Sequence, residues 1–245
     1  MRFFDATLSS GVSITQTSLD LKQKLRRVCL WSIVGLVGGP TALPAMAEVH
    51  VTLETTLGNI VIAMDDERAP ITTEYFLGYV KRKQYDGATL YRSASIDDDP
   101  SPQIVQGGIM AEALNSEGDI QIEQYGAEYL EVIETTKQTG LRHERGAISF
   151  ARDLLYTGHV IPEIVFCLRD VPAMDAYGRT KPDTRGFPVS GRVVSGMEVI
   201  ERVTQQALGG ATRIPFLEGQ VLSEPIVIQK AYILGPDRVA LSSDS

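Results

Sequence analysis

The 245-residue sequence predicts a mainly β fold that carries two helices. Short segments in which apolar and polar residues alternate, or in which apolar residues run on, recur between clusters of turn-forming residues, as expected of strands joined by turns. Only two segments place apolar residues at helical spacing. The length suits one sizeable domain or two small ones, and the composition is that of an ordinary soluble globular protein.

The first predicted elements are a β-hairpin and a helix. Residues 49–55 alternate in polarity, residues 56–59 form a turn, and residues 59–64 form the returning strand. A helix then begins at Pro70 and continues to Lys83, because the first helical position tolerates the missing N–H of proline. Its aromatic residues recur at helical spacing and are expected to be core contacts.

The rest of the chain predicts further strands and a second helix. The second helix covers residues 196–203, with Met197, Ile200 and Val203 on one face. The predicted strands cover residues 88–91, 104–106, 147–151, 162–168, 186–194 and 225–233.

Two segments lack a strand pattern. Residues 110–138 are polar and acidic, and we expect a solvated surface loop at the rim of a groove, with a helical turn near residues 127–132. Residues 236–245 are polar, and we expect a disordered tail after a domain that covers residues 48–235.

Arg92 and Gln106 are the first candidate site residues. They lie on neighbouring predicted strands joined by a polar loop, and if the strands lie close together both side chains can face the same side. An arginine beside an amide makes a donor-rich surface without a nucleophile or a base. Such a surface can hold a peptide carbonyl.

Several motifs resemble the cyclophilin-type peptidyl-prolyl isomerases. They are Y-D-G, aromatic-Arg and Q-G-G within residues 85–108, A-P-I-T-T-E-Y-F-L-G-Y-V at residues 69–80, R-G-A-I-S-F-A-R at residues 145–152 and G-R-V-V-S-G-M-E-V-I-E-R-V at residues 191–203. The resemblance covers roughly residues 49–234. It implies a closed eight-stranded antiparallel cyclophilin-like β-barrel with a helix at each end, in which closure leaves no exposed sheet edge.

The resemblance also implies a function: isomerisation of X–Pro peptide bonds, without a cofactor. Arg92 matches the family's catalytic arginine, and Gln106 matches the glutamine that supports it and binds the substrate backbone. An arginine suits this role because it stays charged at any working pH. Its hydrogen bond to the proline nitrogen would favour the twisted amide over either planar form.

The predicted proline pocket departs from the family pattern. Val165 stands where a phenylalanine usually forms the floor, Glu163 replaces a glutamine, and Ala173 lies near the position of a frequent tryptophan. We therefore expect a shallower pocket, weak proline binding, reduced turnover and poor affinity for the cyclic peptide drug that defines the family. The residues assigned to substrate binding are Ile104, Phe150, Ala151, Glu163, Val165, Met174 and Phe187.

Two alternatives remain open. In the first, the groove binds an extended peptide or a partner loop, and catalysis has faded with the aromatic floor. In the second, the protein is purely structural, and the match of Arg92 and Gln106 to the family pattern is accidental.

Residues 1–47 have the pattern of a secretory signal peptide. Basic residues at 22–27 precede the apolar run 28–39, and Ala45-Met46-Ala47 gives an A-x-A cleavage site. The apolar run is too short to span a bilayer comfortably, although an uncleaved anchor is the alternative. We predict cleavage after Ala47 and a periplasmic or secreted protein.

Cleavage would make the protein more acidic. The first 47 residues contain five of the 23 basic and two of the 31 acidic residues, so the remainder has a formal net charge of −11. This charge argues against nucleic acid or an anionic membrane surface as a partner. We expect a monomer whose partners are proline-containing peptides and unfolded or folding proteins.

Other kinds of site have little support in the sequence. Asp97-Asp98-Asp99 lacks the spaced ligands and the glycine of a cation loop, and the three histidines show no ligand spacing, so we predict no metal site. Cys167 has apolar neighbours and would have no partner cysteine after cleavage, which predicts a buried, inert thiol. No Ser-His-Asp signature is apparent.

Overall fold

The computed structural model describes residues 48–97, 99–154, 156–179 and 183–235. Within them, three α-helices are present: α1 (Pro70–Lys81), α2 (Thr136–Thr139) and α3 (Met197–Val203). The strands are β1 (Val49–Thr55), β2 (Gly58–Met64), β3 (Thr89–Ala94), β4 (Ile104–Gly108), β5 (Ala147–Arg152), β6 (Val160–Cys167), β7 (Val189–Ser195) and β8 (Val221–Ile233). The predicted signal peptide and C-terminal tail lie outside the described residues.

The strands close into an eight-stranded antiparallel barrel in the order β1-β2-β7-β5-β6-β4-β3-β8. The predicted fold class is therefore confirmed, with α2 as an additional helix of four residues. Helix α1 ends earlier than predicted, because Lys83 adopts a positive φ of 59°, which an α-helix cannot continue. Among the described residues, no helix has the length and apolar character needed to cross a membrane.

The barrel interior forms the main apolar core. Val105 of β4 and both Ile164 and Phe166 of β6 are fully buried, and rings from α1 pack among them. Because side chains alternate along a strand, the residues between these core positions point to the opposite face of the sheet. The core therefore fixes which residues of β4 and β6 are available to a site outside the barrel.

The segment from Met110 to Gln138 is more ordered than the sequence suggested. Short 3₁₀ helices cover Ala111–Asn115 and Ile122–Tyr125, and Ala127 is buried. The predicted helical turn near residues 127–132 is wrong, because Leu130 instead forms a β-bridge with Val160. Backbone pairing with the barrel has replaced the local helix.

Glu134 joins the same segment to α1. Its carboxylate accepts hydrogen bonds from the backbone N–H groups of Ile71 and Thr72 and from the Thr72 hydroxyl, at 3.2, 2.7 and 2.7 Å. The N-cap residue, Ala69, directly precedes the helix and provides no side-chain hydrogen bond to it. Glu134 therefore supplies from a distant loop the acceptor and the negative charge that a helix N-terminus favours.

Candidate active site

The predicted site residues, with one exception, line a single cavity of about 290 Å³. Strand register explains the arrangement: Arg92 on β3 lies opposite Gln106 on β4, which lies opposite Val165 on β6. These three residues form a row across three adjacent strands, and Ile104 and Glu163 lie two residues from it on the same face. The lining set is Arg92, Ile104, Gln106, Ala151, Glu163, Val165, Met174 and Phe187.

Phe150 is the exception. It lies opposite Ile164, a core residue, and its ring is fully buried against Phe76 at a centroid distance of 5.5 Å. The prediction that it contributes to the groove is therefore corrected: β5 turns Phe150 into the barrel, and Ala151 reaches the cavity. The next residue, Arg152, also lines the cavity.

Arg92 is held by two amide side chains. Its Nη1 donates to Gln106 Oε1 at 2.7 Å, and its Nε and Nη2 donate to Gln220 Oε1 at 3.0 and 2.7 Å. These bonds use three of the five N–H groups of the guanidinium, so two remain for another acceptor. Burial lowers the pKa of Arg92, but an arginine remains cationic at working pH.

A β-bulge places Tyr91 beside Arg92. The register between β3 and β4 shifts between Leu90 and Arg92, which leaves Tyr91 as the extra residue. Gly107 permits this close approach, since a Cβ there would lie 2.2 Å from the carbonyl oxygen of Thr89. The bulge allows two consecutive residues of β3 to contact Gln106.

A buried hydrogen-bond chain supports Gln106. Gln106 Nε2 donates to the Tyr91 hydroxyl at 3.2 Å, and that hydroxyl donates to Glu163 Oε2 at 2.6 Å. The other carboxylate oxygen of Glu163 accepts the backbone N–H of Met110 at 2.8 Å. Glu163 is 1% exposed and both of its carboxylate oxygens are engaged by the protein itself, so the prediction that it binds substrate is corrected to a role in supporting Gln106.

Burial raises the pKa of Glu163 to about 7, although hydrogen bonds from Tyr91 and from the backbone of Met110 oppose the shift. Burial and the neighbouring Glu163 carboxylate raise the pKa of Tyr91 well above its ordinary value, so the phenol stays protonated. Gly108 leaves room for the acid, because a Cβ there would lie 2.3 Å from Glu163 Oε1. The hydrogen-bond chain therefore contains one group with a pKa near neutral pH, the carboxyl group of Glu163.

The wall next to Arg92 and Gln106 is apolar. Ile104, Ala151, Val165 and Met174 belong to one buried cluster, and the half-buried ring of Phe187 packs against it. The floor is aliphatic, and Phe187 supplies an aromatic surface at the side. This combination can receive a small apolar ring while polar donors face the adjoining peptide bond.

The structure brings a serine, a histidine and an aspartate together, although the sequence showed no Ser-His-Asp signature. His143 Nδ1 lies 2.7 Å from Asp175 Oδ1, and His143 Nε2 lies 2.9 Å from Ser149 Oγ. The Ser149 hydroxyl also donates to the carbonyl oxygen of Pro188, and both Ser149 and His143 are almost fully buried. No substrate can reach this serine, so the three residues form a structural network between strands and loops.

Other candidate groups also have structural partners. The amide oxygen of Gln103 accepts the backbone N–H of Ile96 at 2.7 Å, and Asp99 pairs with Arg169. Cys167 is buried, and burial raises the pKa of its thiol to about 12, which makes it unreactive. Among the described residues, no three His, Cys, Asp or Glu side chains come together as a metal site.

The sequence alone did not indicate the roles of Tyr91 and Gln220. Strict alternation with Arg92 would point Tyr91 to the opposite side of β3, away from the site. Only the bulge brings it into the site. Gln220 lies 128 residues from Arg92, just before β8, and no local pattern marks it. The aromatic residue of the aromatic-Arg motif is the one signal that pointed towards Tyr91.

Comparison with known proteins identifies relatives. The family model for cyclophilin-type peptidyl-prolyl cis-trans isomerases matches residues 50–232. A peptidyl-prolyl cis-trans isomerase A of Dickeya dadantii is 28% identical over 206 residues, which cover 83% of this chain and 94% of that protein. A peptidyl-prolyl cis-trans isomerase of Streptomyces antibioticus is 27% identical over 186 residues, which cover 76% of this chain and 98% of that protein.

The fold has solved counterparts. A crystal structure of a cyclophilin-type peptidyl-prolyl cis-trans isomerase from Cryptosporidium parvum, determined in the presence of the dipeptide Ala-Pro, superposes with a TM-score of 0.56 at 15% sequence identity. The match covers 76% of this chain and 99% of that chain. It supports the barrel architecture derived above.

Proposed function

This chain belongs to the cyclophilin-type family of peptidyl-prolyl cis-trans isomerases, and on that premise we propose that it isomerises X–Pro bonds of exported proteins at the face formed by Arg92 and Gln106. The observation that carries the proposal is the clamped guanidinium of Arg92, which has N–H groups left over beside an apolar cavity. Among the described residues that line the cavity, no serine, threonine or cysteine is present as a nucleophile, which suits a reaction that breaks no covalent bond.

The chemistry requires stabilisation of a twisted amide. The X–Pro bond rotates across a barrier of about 18–20 kcal/mol, and in the twisted form the proline nitrogen regains its lone pair. A fixed N–H of Arg92 that donates to this lone pair stabilises the twisted form selectively. One charge-assisted hydrogen bond of about 1.5–3 kcal/mol would give roughly one to two decades in rate.

Gln106 has a double role in this proposal. Its Oε1 holds Arg92 and one of its Nε2 hydrogens is donated to Tyr91, so the second hydrogen remains for the carbonyl of the substrate backbone. Gln106 is 8% exposed, which leaves an edge of the amide within reach of a ligand.

The apolar wall would hold the proline ring while the residue before it rotates. Ile104, Val165, Met174 and Phe187 line the cavity that adjoins Arg92. Removal of water from this wall strengthens the hydrogen bonds next to it. Positioning and exclusion of water supply the acceleration that one hydrogen bond does not.

A peptide-binding module is the second candidate function. The aliphatic side chain of Val165 at the floor favours it, because a proline ring loses the flat aromatic surface on which it would otherwise pack. A binding module would retain the affinity for extended peptides but would leave the rate of cis–trans exchange unchanged.

Titration of the protein with an acetylated and amidated Ala-Pro peptide separates these functions. Chemical shifts report binding, and exchange NMR at equilibrium reports the isomerisation rate without a coupling protease. Binding together with acceleration supports the enzyme, whereas saturable binding without acceleration supports the module.

The proposal that the substrates are exported proteins rests on the sequence of residues 1–47. The basic stretch, the apolar run and the A-x-A site are the features of a cleaved secretory signal. Expression of the full chain in a Gram-negative host should yield a periplasmic or secreted protein that begins at Glu48, as measured by intact mass. A full-length protein retained in the cytoplasm would contradict export and leave the isomerase proposal intact.

A further inference from the structure

A second cavity of about 460 Å³ adjoins the first and is rich in arginine. Arg152, Arg179 and Arg185 all line it, and Asp183 is the one carboxylate among the described residues that do. Arg152 and Arg179 also line the first cavity, together with Phe187. The two arginines therefore connect the apolar wall to a positively charged chamber.

Two of the three arginines already have an anionic partner. Arg152 donates through Nη1 to Asp183 and to the carbonyl oxygen of Gly186, and its side chain is 1% exposed. Arg185 Nε lies 3.5 Å from the other oxygen of Asp183. One carboxylate thus neutralises only part of the charge of this cluster.

Asp153 lines the first cavity but forms no ion pair with these arginines among the described residues. Its carboxylate accepts hydrogen bonds from the backbone N–H groups of Tyr156 and Thr157, from the Thr157 hydroxyl and from the Tyr129 hydroxyl. These bonds hold its own loop and leave Arg179 without an ion pair among the described residues.

Arg179 is the unpaired member of the cluster. Its Nη2 is buried and has no hydrogen-bond partner among the residues that the structure describes, and its Cζ lies 5.0 Å from the centroid of the Phe187 ring. Stacking on an aromatic face holds a guanidinium in place but leaves its in-plane N–H groups unsatisfied. A buried donor without a partner is costly, so an anionic ligand that accepts from it would be bound favourably.

We propose that Arg179, supported by Arg152 and Arg185, forms a subsite for a carboxylate side chain of the peptide whose proline occupies the first cavity. The subsite rests on the proposed function and specifies its substrates: X–Pro sequences with a glutamate or aspartate close to the proline. An extended peptide advances about 3.3–3.6 Å per residue, so a residue within three positions of the proline is in reach. The planar fork of arginine matches a carboxylate better than it matches a neutral amide.

The local charge makes this preference selective. The chain as a whole carries a formal net charge of −8, so long-range attraction does not favour an acidic peptide. Any preference for glutamate over glutamine must then arise from a local cluster such as this one, and it should weaken as added salt screens the interaction.

The test uses the full chain and acetylated, amidated peptides with one Ala-Pro bond in an alanine and glycine background. A single glutamate is placed in turn at each of the three positions on either side of Ala-Pro, and each peptide is paired with its glutamine isostere. Dissociation constants are measured by NMR titration, and isomerisation rates are measured by exchange NMR. At one or two positions we expect the glutamate peptide to bind about three- to tenfold more tightly than its isostere at low salt.

Three variants assign the preference to Arg179. Arg179→Gln should reduce the glutamate-to-glutamine ratio to near one, and Arg179→Lys should restore part of it through charge without the fork. Arg145→Gln is the matched control, because Arg145 pairs with Glu201 at the surface and lines neither cavity. The control should keep the full ratio, and melting temperatures should show that all variants are folded.

The outcomes separate this subsite from the proposed function. Equal binding of the two peptides at every position, or a ratio that survives Arg179→Gln, overturns the subsite even if the protein is an active isomerase. A glutamate preference in binding without acceleration supports the subsite and overturns the isomerase proposal. Because binding is measured independently of rate, either proposal can fail alone.

Discussion

The Tyr91 hydroxyl donates a 2.6 Å hydrogen bond to the Glu163 carboxylate, and both side chains are buried beneath Gln106. This bond sets the direction of the hydrogen bonds that lead from it to Arg92. Because the Tyr91 hydroxyl donates to Glu163, it accepts from Gln106 Nε2. The oxygen of the Gln106 amide is then free to accept from Arg92. A proton on Glu163 would reverse the first bond. The Tyr91 hydroxyl would then accept from Glu163 and seek an acceptor in Gln106, and the amide would have to turn its oxygen away from Arg92.

The first prediction is a rate that falls as the pH drops below about 7, the pKa of Glu163. Protonation of Glu163 weakens the hydrogen bond between Gln106 and Arg92. The pH profile of the isomerisation rate should therefore show a transition near the pKa of Glu163, at about 7. Glu163→Gln donates to Tyr91 as the protonated acid does, and we expect it to show the low-pH rate at every pH. Tyr91→Phe should also abolish the pH dependence. A wild-type rate that stays flat between pH 6 and 8 would rule out this coupling.

Stability should respond to the same group in the opposite sense. The folded-state pKa of Glu163 is raised from 4.5 to about 7, so the folded protein binds the proton more tightly than the unfolded chain does. The stabilisation is fully present below pH 4.5 and is lost as the pH rises through 7. The free energy of unfolding of the wild type, relative to Glu163→Gln, should therefore decrease by up to about 3 kcal/mol between pH 5 and pH 8.

The second prediction concerns Gln220, which accepts two hydrogen bonds from Arg92. Gln220→Ala should lower kcat roughly tenfold with a smaller effect on KM, because Arg92 loses the acceptor that orients it. Gln220→Glu keeps an acceptor and should restore most of the rate. Gln205→Ala is the control, because Gln205 is exposed and lines neither cavity. If Gln220→Glu is as slow as Gln220→Ala in a folded protein, Gln220 does not act by positioning Arg92.

The third prediction tests the aliphatic floor. Val165→Phe should lower KM about two- to tenfold, because an aromatic floor adds roughly 0.5–1.5 kcal/mol of ring packing. Val165 lines the cavity and lies opposite Gln106, so the new ring would face the substrate. Thermal unfolding checks for overpacking, and the smaller change Val165→Leu provides a second variant. An unchanged KM in folded Val165→Phe would show that the floor does not limit proline binding.

The fourth prediction concerns the fold. Glu134→Ala removes three hydrogen bonds at the N-terminus of α1 and should lower the free energy of unfolding by about 1–2 kcal/mol. Glu131→Ala is the matched control, since Glu131 is exposed on the same segment. Denaturant unfolding measures both variants. If Glu134→Ala and Glu131→Ala have the same free energy of unfolding, Glu134 does not hold the segment on α1.

The sequence was sufficient where local patterns determine the structure. Alternation located the hairpin of β1 and β2. The two strands predicted on either side of the polar loop pair with each other, which brings Arg92 opposite Gln106. Phe150 was misassigned because its face depends on its pairing with Ile164, which is a non-local contact. Tyr91 was missed because a bulge broke the alternation, and Gln220 was missed because tertiary structure alone brings it to Arg92.

The loop between residues 110 and 138 shows the same limit. Its polar composition suggested a solvated surface, but the Glu134 carboxylate binds the backbone of α1 and the Tyr75 hydroxyl binds the carbonyl oxygen of Glu128. Polar residues that satisfy groups on another element look in sequence like residues that face water. Only the positions of their partners distinguish the two cases.

The role of Arg92 is tested most directly by the cis–trans exchange rate of a short Ala-Pro peptide at equilibrium. Exchange NMR is run with the wild type, with Arg92→Ala and with the surface control Arg145→Ala, after melting temperatures have shown that each is folded. We predict acceleration by the wild type and by the control, and an acceleration reduced about ten- to hundredfold by Arg92→Ala. Undiminished acceleration by Arg92→Ala, or none by the folded wild type, would contradict an isomerase that acts through Arg92.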